Sequence, residues 1–230
     1  MSHYTELLLK ENAAPAILIT GGVPSSVALL KNIQARYPEA PVFCADGGAD
    51  YCYRANVLPT YIIGDMDSVS NNARKWLLKN KVPEYVFPTE KDFSDTQLAI
   101  EALFKEQSQE IIVLGALGGR MDHEMANVML LVSYGRKGHS LIFVDDQNIM
   151  RYVGAGTHTI YRCRGYIGIV PFSDQGMRLS IEGLYYPLPK TSVPFGASHL
   201  ISNVFGDEKE ARFLIEEGDG ILVRSKDKKE

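Results

Sequence analysis

The chain has 230 residues, a formal net charge of -4 and a hydrophobic fraction of 45%. This length fits one large domain or two small ones, and the apolar fraction allows a sizeable core. An acidic balance does not attract polyanions, so we expect no nucleic-acid partner, and any phosphate group needs a local site. The apolar runs are too short to span a bilayer and MSHYTELLLKEN has no signal-peptide pattern, so no membrane association is expected.

The cysteine content indicates the compartment. Cys44, Cys52 and Cys163 form no CxxC pair. An odd number of cysteines without metal-ligand spacing is typical of structural thiols in a reducing compartment. We therefore predict that the protein is cytoplasmic.

Apolar runs and helical periodicity alternate along the first two thirds of the chain. The runs predict strands at 16–19, 42–45, 61–63, 84–87, 111–114 and 141–144. The periodic segments predict helices at 25–37, 72–80, 96–105 and 121–134, the last with Met121, Met125, Val128 and Val132 near one face. Strands that alternate with helices in this way favour a parallel sheet with crossover connections.

After about residue 147 the pattern changes to short β-branched and aromatic runs separated by Gly or Pro. The runs are HTIYRC, YIGIVPF, MRLSIEG, ARFLIEEG and ILVRS. This pattern is typical of an all-β domain, a sandwich or a flattened barrel. We therefore predict an α/β domain with a parallel sheet over residues 1–147, followed by a β-sandwich domain over residues 148–230.

Polar, Gly-rich and acidic segments follow the first five predicted strands. The carboxyl ends of parallel strands meet at one edge of the sheet, where α/β proteins bind their ligands. The segments that precede the strands, such as EQSQE, carry no comparable pattern. The sequence therefore predicts a functional site at this edge.

The first two of these segments are rich in glycine. Gly21 and Gly22 can form a tight turn, or they can let a phosphate approach the backbone near a helix N-terminus. Neither the dinucleotide fingerprint nor a Walker loop is present, so a nucleotide would bind by another route. After the second strand, Asp46 stands at the strand end, and Gly47 and Gly48 permit close approach of a ligand.

The third strand ends at Gly64 and is followed by Asp65 and Asp67. Two carboxylates about 4 Å apart repel by about 4 kcal/mol at an effective dielectric near 20, so solvent, a raised pKa or a cation should offset the repulsion. In an extended strand end both side chains would point to the same side and make an oxygen-rich site suited to Mg²⁺. The alternative is a solvated turn in which Asp67 or Ser68 caps the next helix.

The segment KDFSD after the fourth strand has two interpretations. Ser94 with Gln97 matches a capping box, which would only start a helix. Asp92 and Asp95 are three residues apart and would meet on one face of a first helical turn, where they would add carboxylates to a metal site. The residue types alone do not decide between a helix cap and a set of metal ligands.

The segment GALGGRMDH after the fifth strand offers several groups at a helix start. Gly118 and Gly119 expose backbone N–H groups, and Arg120 can grip phosphate bidentately. Asp122 and His123 can cap the helix, or they can orient or exchange protons with a nucleophile. Several carboxylates, one arginine and glycine turns on one edge fit a metal-dependent transfer of a phosphorus group.

Four motifs, ADGGAD, PTYIIGDMDS, KDFSDTQLA and GALGGRMDH, occur in this order and spacing in the thiamine pyrophosphokinase family, which this sequence closely resembles. The segment LISNVF, residues 200–205, resembles the Ser-Asn segment of that family's second domain. Met66 stands where Phe is common, and Ser94 stands where Thr is common. Neither position supplies a carboxylate, so neither departure affects the expected chemistry.

The resemblance implies an ATP-binding catalytic domain over residues 1–147 and a thiamine-binding domain over residues 148–230. It also implies a homodimer whose active sites lie between one subunit's α/β domain and the partner's β domain. The implied reaction is Mg²⁺-dependent transfer of the pyrophosphoryl group of ATP to the thiamine hydroxyl, giving thiamine diphosphate and AMP. Two alternatives are a DxD-type metal-dependent nucleotide-sugar transferase and a non-catalytic sensor that binds ATP or thiamine.

Residue by residue, the resemblance implies four sets of site residues. The metal ligands are Asp65, Asp67 and Asp92. The catalytic residues are Asp46, Asp95, Arg120, Asp122 and His123, and either Asp95 or Asp122 orients or deprotonates the thiamine hydroxyl. The ATP-binding residues are Gly21, Gly22, Gly47, Gly48, Gly64, Ser68, Gly118, Gly119 and Arg120. The thiamine-binding residues are Gln97, Ser202 and Asn203.

Overall fold

A computed structural model describes residues 14–23, 25–64, 66–85, 93–106, 108 and 110–227. These residues form two compact units. The described parts of Ala13–Leu130 and Phe143–Asp146 form the α/β unit, and those of Leu131–Ile142 and Gln147–Glu230 form the β unit. Since Leu131–Ile142 groups with the β unit, the chain is not cut at a single point, and the boundary between residues 147 and 148 stays a prediction.

The α/β unit is built on parallel strands that are covered on both faces. The strands are β1 (Ala16–Ile19), β2 (Val42–Ala45), β3 (Tyr61–Ile63), β4 (Glu84–Tyr85), β5 (Glu110–Leu114) and β6 (Ser140–Val144), of which only the last two residues of β6 group with this unit. Their order is β4-β3-β2-β1-β5-β6, and the β1–β2, β1–β5, β2–β3 and β3–β4 pairs are parallel. The central strand β1 is fully buried because both sides of such a sheet are covered. All six strands lie where the apolar runs predict them, although residues 86 and 87 of the fourth prediction lie outside the described residues.

Five helices connect these strands: α1 (Val27–Arg36), α2 (Gly48–Ala55), α3 (Asn71–Lys79), α4 (Asp95–Lys105) and α5 (Met121–Arg136). Ser26, Ser70 and Ser94 are the N-caps of α1, α3 and α4, and each hydroxyl accepts a backbone N–H three residues later at 3.3 Å. The alternative that Asp67 or Ser68 caps α3 is wrong, because Ser70 does. None of the described helices is long and apolar enough to cross a membrane.

The N-cap of α3 also joins two helices. Asp50, in the first turn of α2, accepts hydrogen bonds from the backbone N–H of Ser70 at 2.9 Å and from its hydroxyl. We expect Ser70→Ala to lower the free energy of unfolding by about 1–2 kcal/mol, because α3 loses its cap and Asp50 loses a donor. Urea denaturation measures the change. Ser70→Thr keeps the hydroxyl and should lose less than half as much, and a Ser70→Ala protein as stable as the wild type would contradict this role.

The buried side of α5 differs from its most apolar stripe. Met121 and Met125 are 68% and 63% exposed, although they share the predicted face with Val132, which is buried. The buried side instead runs through Asn127, Leu131 and Tyr134. Packing therefore selects a side of this helix that includes an asparagine, and that residue belongs to the site described below.

The β unit contains antiparallel strands in two groups. The strands are β7 (Asn148–Val153), β8 (Gly156–Tyr161), β9 (Tyr166–Pro171), β10 (Met177–Glu182), β11 (Leu188–Val193), β12 (Glu210–Glu217) and β13 (Gly220–Ser225). They pair in the orders β7-β13-β9 and β11-β10-β12-β8. The prediction of an α/β domain followed by an all-β domain is confirmed. Strands β7 and β11 were not predicted. The signal of β11 is weak because it is an edge strand that contains Pro189 and Lys190.

Candidate active site

A cavity of about 610 Å³ lies at the carboxyl ends of β1, β2 and β5 in the α/β unit. The segments that follow these strands line it, together with the first turns of α4 and α5. The predicted site residues that the cavity brings together are Gly21, Gly22, Asp46, Gly47, Ser68, Asp95, Gly119, Arg120 and His123. Those of the α/β unit that are described but do not line it are Gly48, Gly64, Asp67, Gln97, Gly118 and Asp122. Asp65 and Asp92 lie outside the described residues.

Two of the predicted glycines are required by backbone packing alone. A Cβ on Gly22 would lie 2.0 Å from the carbonyl oxygen of Gly115, and one on Gly48 would lie 2.3 Å from that of Ile19. The segments after β1 and β5 therefore pack directly on one another, and Gly48 packs directly on the end of β1. Gly119 differs, because nothing lies within 4 Å of its Cβ position, so backbone packing does not require a glycine there.

Gly64 makes room for the Asp46 side chain. Gly64 has φ +109°, and a Cβ there would lie 2.1 Å from Oδ1 of Asp46. Asp46 itself has φ +42°, and its N–H donates to the carbonyl of Ile63 at 3.2 Å. A glycine after β3 is therefore needed for the Asp46 carboxylate to take its position at the edge of the cavity.

The turn after β3 is not extended. Met66 is buried and has φ +64°, whereas Asp67 is exposed. The backbone at Met66 therefore departs from the extended strand end on which the expectation for Asp65 and Asp67 rests. Because Asp65 lies outside the described residues, the expectation that Asp65 and Asp67 point to one side stays a prediction. Among the described residues, no group of three or more His, Cys, Asp or Glu could hold a metal ion. Because two of the three predicted ligands are outside that set, the Mg²⁺ site stays a prediction.

The N-terminus of α1 is occupied by a carboxylate of the chain itself. Asp146 accepts hydrogen bonds from the backbone N–H of Ser26 at 2.5 Å and from its hydroxyl at 2.6 Å. The Tyr51 hydroxyl donates to the carbonyl of Ser26 at 2.7 Å, and burial followed by the charge of Asp146 raises the pKa of Tyr51. A phosphate near Gly21 and Gly22 would have to bind turn N–H groups, since Asp146 already holds this helix start.

The start of α4 presents Asp95 to the cavity. The Ser94 hydroxyl caps the helix through the N–H of Gln97, whereas the Gln97 side chain donates to Oε1 of Glu101 at 3.2 Å. The capping interpretation of Ser94 is confirmed, although the Gln97 side chain is directed to Glu101 and not back to the cap. The helix begins at Asp95, and Asp92 lies outside the described residues, so the prediction that Asp92 and Asp95 meet stays untested.

Asp122 is held by two neighbours. Arg120 Nη2 and Nε lie 2.5 and 3.1 Å from its two oxygens, and the N–H of His123 donates to Oδ1 at 3.0 Å. These bonds, chiefly the one from Arg120, hold the pKa of Asp122 below its usual range. Both side chains of the pair are largely exposed, at 74% and 62%. Asp122 is therefore an ionised partner of Arg120, and Asp95 is the better placed carboxylate to accept a proton in the cavity.

Sequence reasoning missed several polar residues that line the cavity, among them Glu124, Asn127 and Thr20. The Glu124 carboxylate accepts the N–H of Gly119 at 2.5 Å, the Asn127 amide donates to the carbonyl of Ala116 at 2.8 Å, and the Thr20 hydroxyl donates to that of Leu114 at 3.2 Å. Asn127 could have been found as a polar residue four positions before buried Leu131 on α5. Glu124 offered only a weak signal, an acid in the first turn of a helix.

In the β unit, Asn203 fastens a loop. Its Oδ1 accepts the N–H groups of Tyr186 and Val204 at 3.0 and 2.9 Å, and its Nδ2 donates to the carbonyl of Tyr186 at 2.8 Å. Asn203 and Tyr186 also line a small cavity of about 130 Å³, while neighbouring Ser202 is exposed with φ +62°. The thiamine assignments of Ser202 and Asn203 stay predictions.

Comparison with known proteins gives consistent results along the chain. The family model described as thiamin pyrophosphokinase, catalytic domain, matches residues 38–143, and the one described as thiamin pyrophosphokinase, vitamin B1 binding domain, matches residues 157–218. A thiamine pyrophosphokinase of Bacillus subtilis (strain 168) is 29% identical over 184 residues, which cover 79% of this chain and 86% of that protein.

Solved structures agree with this result. The crystal structure of a thiamine pyrophosphokinase from Bacillus subtilis superposes with a TM-score of 0.83 at 25% identity and covers 93% of this chain and 100% of that one. The yeast thiamin pyrophosphokinase structure gives a TM-score of 0.76 at 19% identity, with coverage of 95% and 88%, and shows that the fold is shared.

Proposed function

Because the chain belongs to the thiamin pyrophosphokinase family, we propose that it transfers the pyrophosphoryl group of ATP to the hydroxyl group of thiamine, giving thiamine diphosphate and AMP. The family is one of enzymes. The proposal for this chain rests on the cavity at the strand ends. Asp46, Asp95 and Arg120 line this cavity, and all three lie in the segment that the catalytic-domain model matches. Pyrophosphoryl transfer needs mainly positioning and charge neutralisation, and these residues can supply both.

The proposed step gives Asp95 and Arg120 separate roles. Asp95 accepts the proton of the thiamine hydroxyl as that oxygen forms a bond to the β-phosphorus. The bond from the β-phosphorus to the oxygen it shares with the α-phosphate breaks, and AMP leaves with that oxygen. Arg120 binds the phosphate oxygens, and its bond to Asp122 pre-orients the guanidinium. Since this ion pair is exposed, it is weak enough for Arg120 to turn towards a phosphate.

Mg²⁺ is proposed to be held by Asp67 together with Asp65 and Asp92. These three aspartates fit Mg²⁺ because carboxylate oxygens are the protein ligands that Mg²⁺ prefers beside waters and phosphates. When bound, the ion neutralises negative charge on the phosphate groups. Within the described part of the set, Asp67 is exposed beside the turn that carries Ser68 into the cavity.

Two further properties are proposed on the family resemblance and the composition. The protein is a homodimer with active sites shared between subunits, and it is located in the cytoplasm. Thiamine contacts are proposed for Gln97, Ser202 and Asn203, and ATP contacts for the glycines of the strand-end turns. Size-exclusion chromatography with light scattering measures the mass in solution, and a monomer that turns over at the dimer's rate would contradict the shared site.

A mass-resolved assay with Mg²⁺, ATP and thiamine tests the proposed reaction. We expect thiamine diphosphate and AMP in equal amounts, both lost when EDTA removes the metal. ADP with thiamine monophosphate would mean attack at the γ-phosphorus. ATP binding without turnover would favour the sensor alternative. In a parallel assay with a nucleotide sugar in place of ATP, consumption of the nucleotide sugar would favour the DxD transferase. Each of these three outcomes would overturn the proposal.

Gly64→Ala is expected to lower kcat/KM by about 10–100-fold, the loss typical when a supporting contact of a functional group is removed. The new Cβ would lie 2.1 Å from Oδ1 of Asp46, so the carboxylate must leave its position. Gly138→Ala is the matched control, because Gly138 also has a positive φ, +85°, but has nothing within 4 Å of its Cβ position. Both variants carry backbone strain, and only Gly64→Ala displaces Asp46. Steady-state kinetics that show equal losses in the two would contradict this role.

A further inference from the structure

The loop Gly115–Arg120 carries Gly119 and Arg120 to the cavity. Gly119 has nothing within 4 Å of its Cβ position, and Arg120, the cation of the loop, follows it directly. Gly115 and Gly118 have φ +78° and +81°, so the loop follows a path that is readily open only to glycine. Because the loop is neither helix nor strand, the position of Arg120 depends on how the loop is attached to its surroundings.

Two side chains of α5 attach this loop at its two ends. Asn127, which is buried, donates to the carbonyl of Ala116 at 2.8 Å, and Glu124 accepts the N–H of Gly119 at 2.5 Å. The two are three residues apart and so lie on one face of the helix. A carboxylate that accepts a backbone N–H makes a charge-assisted bond, which is stronger than a neutral one. The Arg120 end of the loop is thus held by Glu124.

We propose that Glu124 is a positioning residue, which holds the Gly118–Arg120 turn through the Gly119 N–H and so keeps Arg120 in place for phosphate. The inference rests on the proposed pyrophosphoryl transfer. Glu124 lies in the first turn of α5, where any acid would interact favourably with the helix N-terminus. That interaction does not need a bond to Gly119, which lies two residues before the helix. The specific contact, not the charge alone, is what the proposal requires.

Glu124→Ala and Glu124→Gln separate the contact from the charge. We expect the alanine variant to lower kcat by about 10–100-fold, since supporting contacts of functional groups typically have effects of this size. KM for thiamine should change by less than about 2-fold, because Arg120 acts on the phosphate groups and not on thiamine. The glutamine variant keeps an oxygen that can accept the N–H and should recover most of the lost kcat. Met125→Ala, at the next and exposed position of the helix, is the matched control.

Amide hydrogen exchange at Gly119, measured by NMR, gives a readout that does not depend on activity. We expect exchange to be at least about 10-fold faster in Glu124→Ala and nearly unchanged in Glu124→Gln and Met125→Ala. Unchanged exchange in Glu124→Ala, or wild-type kcat despite faster exchange, would overturn the inference. A Glu124→Gln variant as impaired as Glu124→Ala would mean that the charge matters instead, and would overturn it too. If the wild type makes no thiamine diphosphate, the proposed function fails while exchange still decides whether Glu124 holds the turn.

Discussion

Asp95→Asn is expected to lower kcat by about 10²–10⁴-fold, the range typical for loss of a general base. Asp95 lines the cavity at the first position of α4, so its carboxylate can reach a hydroxyl there. Asparagine has the same shape but cannot take the proton. Because Asp95 also lies at a helix N-terminus, the substitution removes some favourable helix-dipole interaction, worth about 0.3–1 kcal/mol of stability, which is too little to unfold the protein.

Asp122→Asn is the matched comparison, since both variants replace an exposed carboxylate at a helix start. Asp122 already accepts hydrogen bonds from Arg120 and His123, and its low pKa makes it a poor proton acceptor. We expect its substitution to loosen Arg120 and to cost about 10–100-fold in kcat.

The sizes of the two losses separate the two roles. If Asp95 accepts the proton, Asp95→Asn should lower kcat more than Asp122→Asn does, because the second substitution only loosens Arg120. A larger loss in Asp122→Asn would assign the base to Asp122.

Asp219→Ala is expected to lower the free energy of unfolding by about 3 kcal/mol, because it removes the buried partner of a hydrogen-bonded ion pair. The Asp219 side chain is 9% exposed and is held within the β unit. Its oxygens accept from Nε and Nη2 of Arg136 at 2.6 and 3.0 Å, from the Tyr152 hydroxyl at 3.1 Å and from the Ser173 hydroxyl at 2.9 Å. All three partners would lose their acceptor. Arg136 is half exposed and can return to water, which limits the loss.

Urea denaturation at pH 7 measures the effect, and Asp174→Ala is the matched control. Asp174 is an acid next to Ser173 that lies closer to solvent, and its removal should change stability by less than about 0.5 kcal/mol. Equal effects of the two substitutions would show that the network around Asp219 contributes nothing beyond surface charge.

The same network predicts how stability depends on pH. Hydrogen bonds from Arg136, and then from Ser173 and Tyr152, hold the pKa of Asp219 below its usual range in the folded state. Because folding lowers the pKa of Asp219, it favours the ionised carboxylate. The contribution of this carboxylate to the free energy of unfolding is therefore complete above about pH 5. It is lost as the pH falls below the ordinary value near 3.9 towards the folded-state value. The difference in unfolding free energy between the wild type and Asp219→Asn should therefore shrink as the pH falls from about 5 to about 3, and a constant difference would contradict the pKa assignment.

The sequence by itself determined most of the elements and the family. Strands β1, β2 and β3 are short apolar runs that end at polar or glycine residues, and such local patterns depend only on neighbours in the chain. Ser94 was recognisable as a cap because an N-cap acts three residues away. The order of the four motifs was enough to indicate the thiamine pyrophosphokinase family, because motif order needs no geometry.

The tertiary structure decided which residues act on one another across the sheet. Gly64 leaves room for the Asp46 carboxylate. Asp146, which is 120 residues away in the chain, accepts a hydrogen bond from Ser26 at the start of α1. These contacts depend on strand order and register, which no local pattern encodes. The contact between Gly119 and Glu124 could not be predicted from a local pattern either. Glu124 is only five residues away, but its bond requires the left-handed turn at Gly118 and the buried face that packing selects on α5. Backbone path and packing, not residue type, made it part of the site.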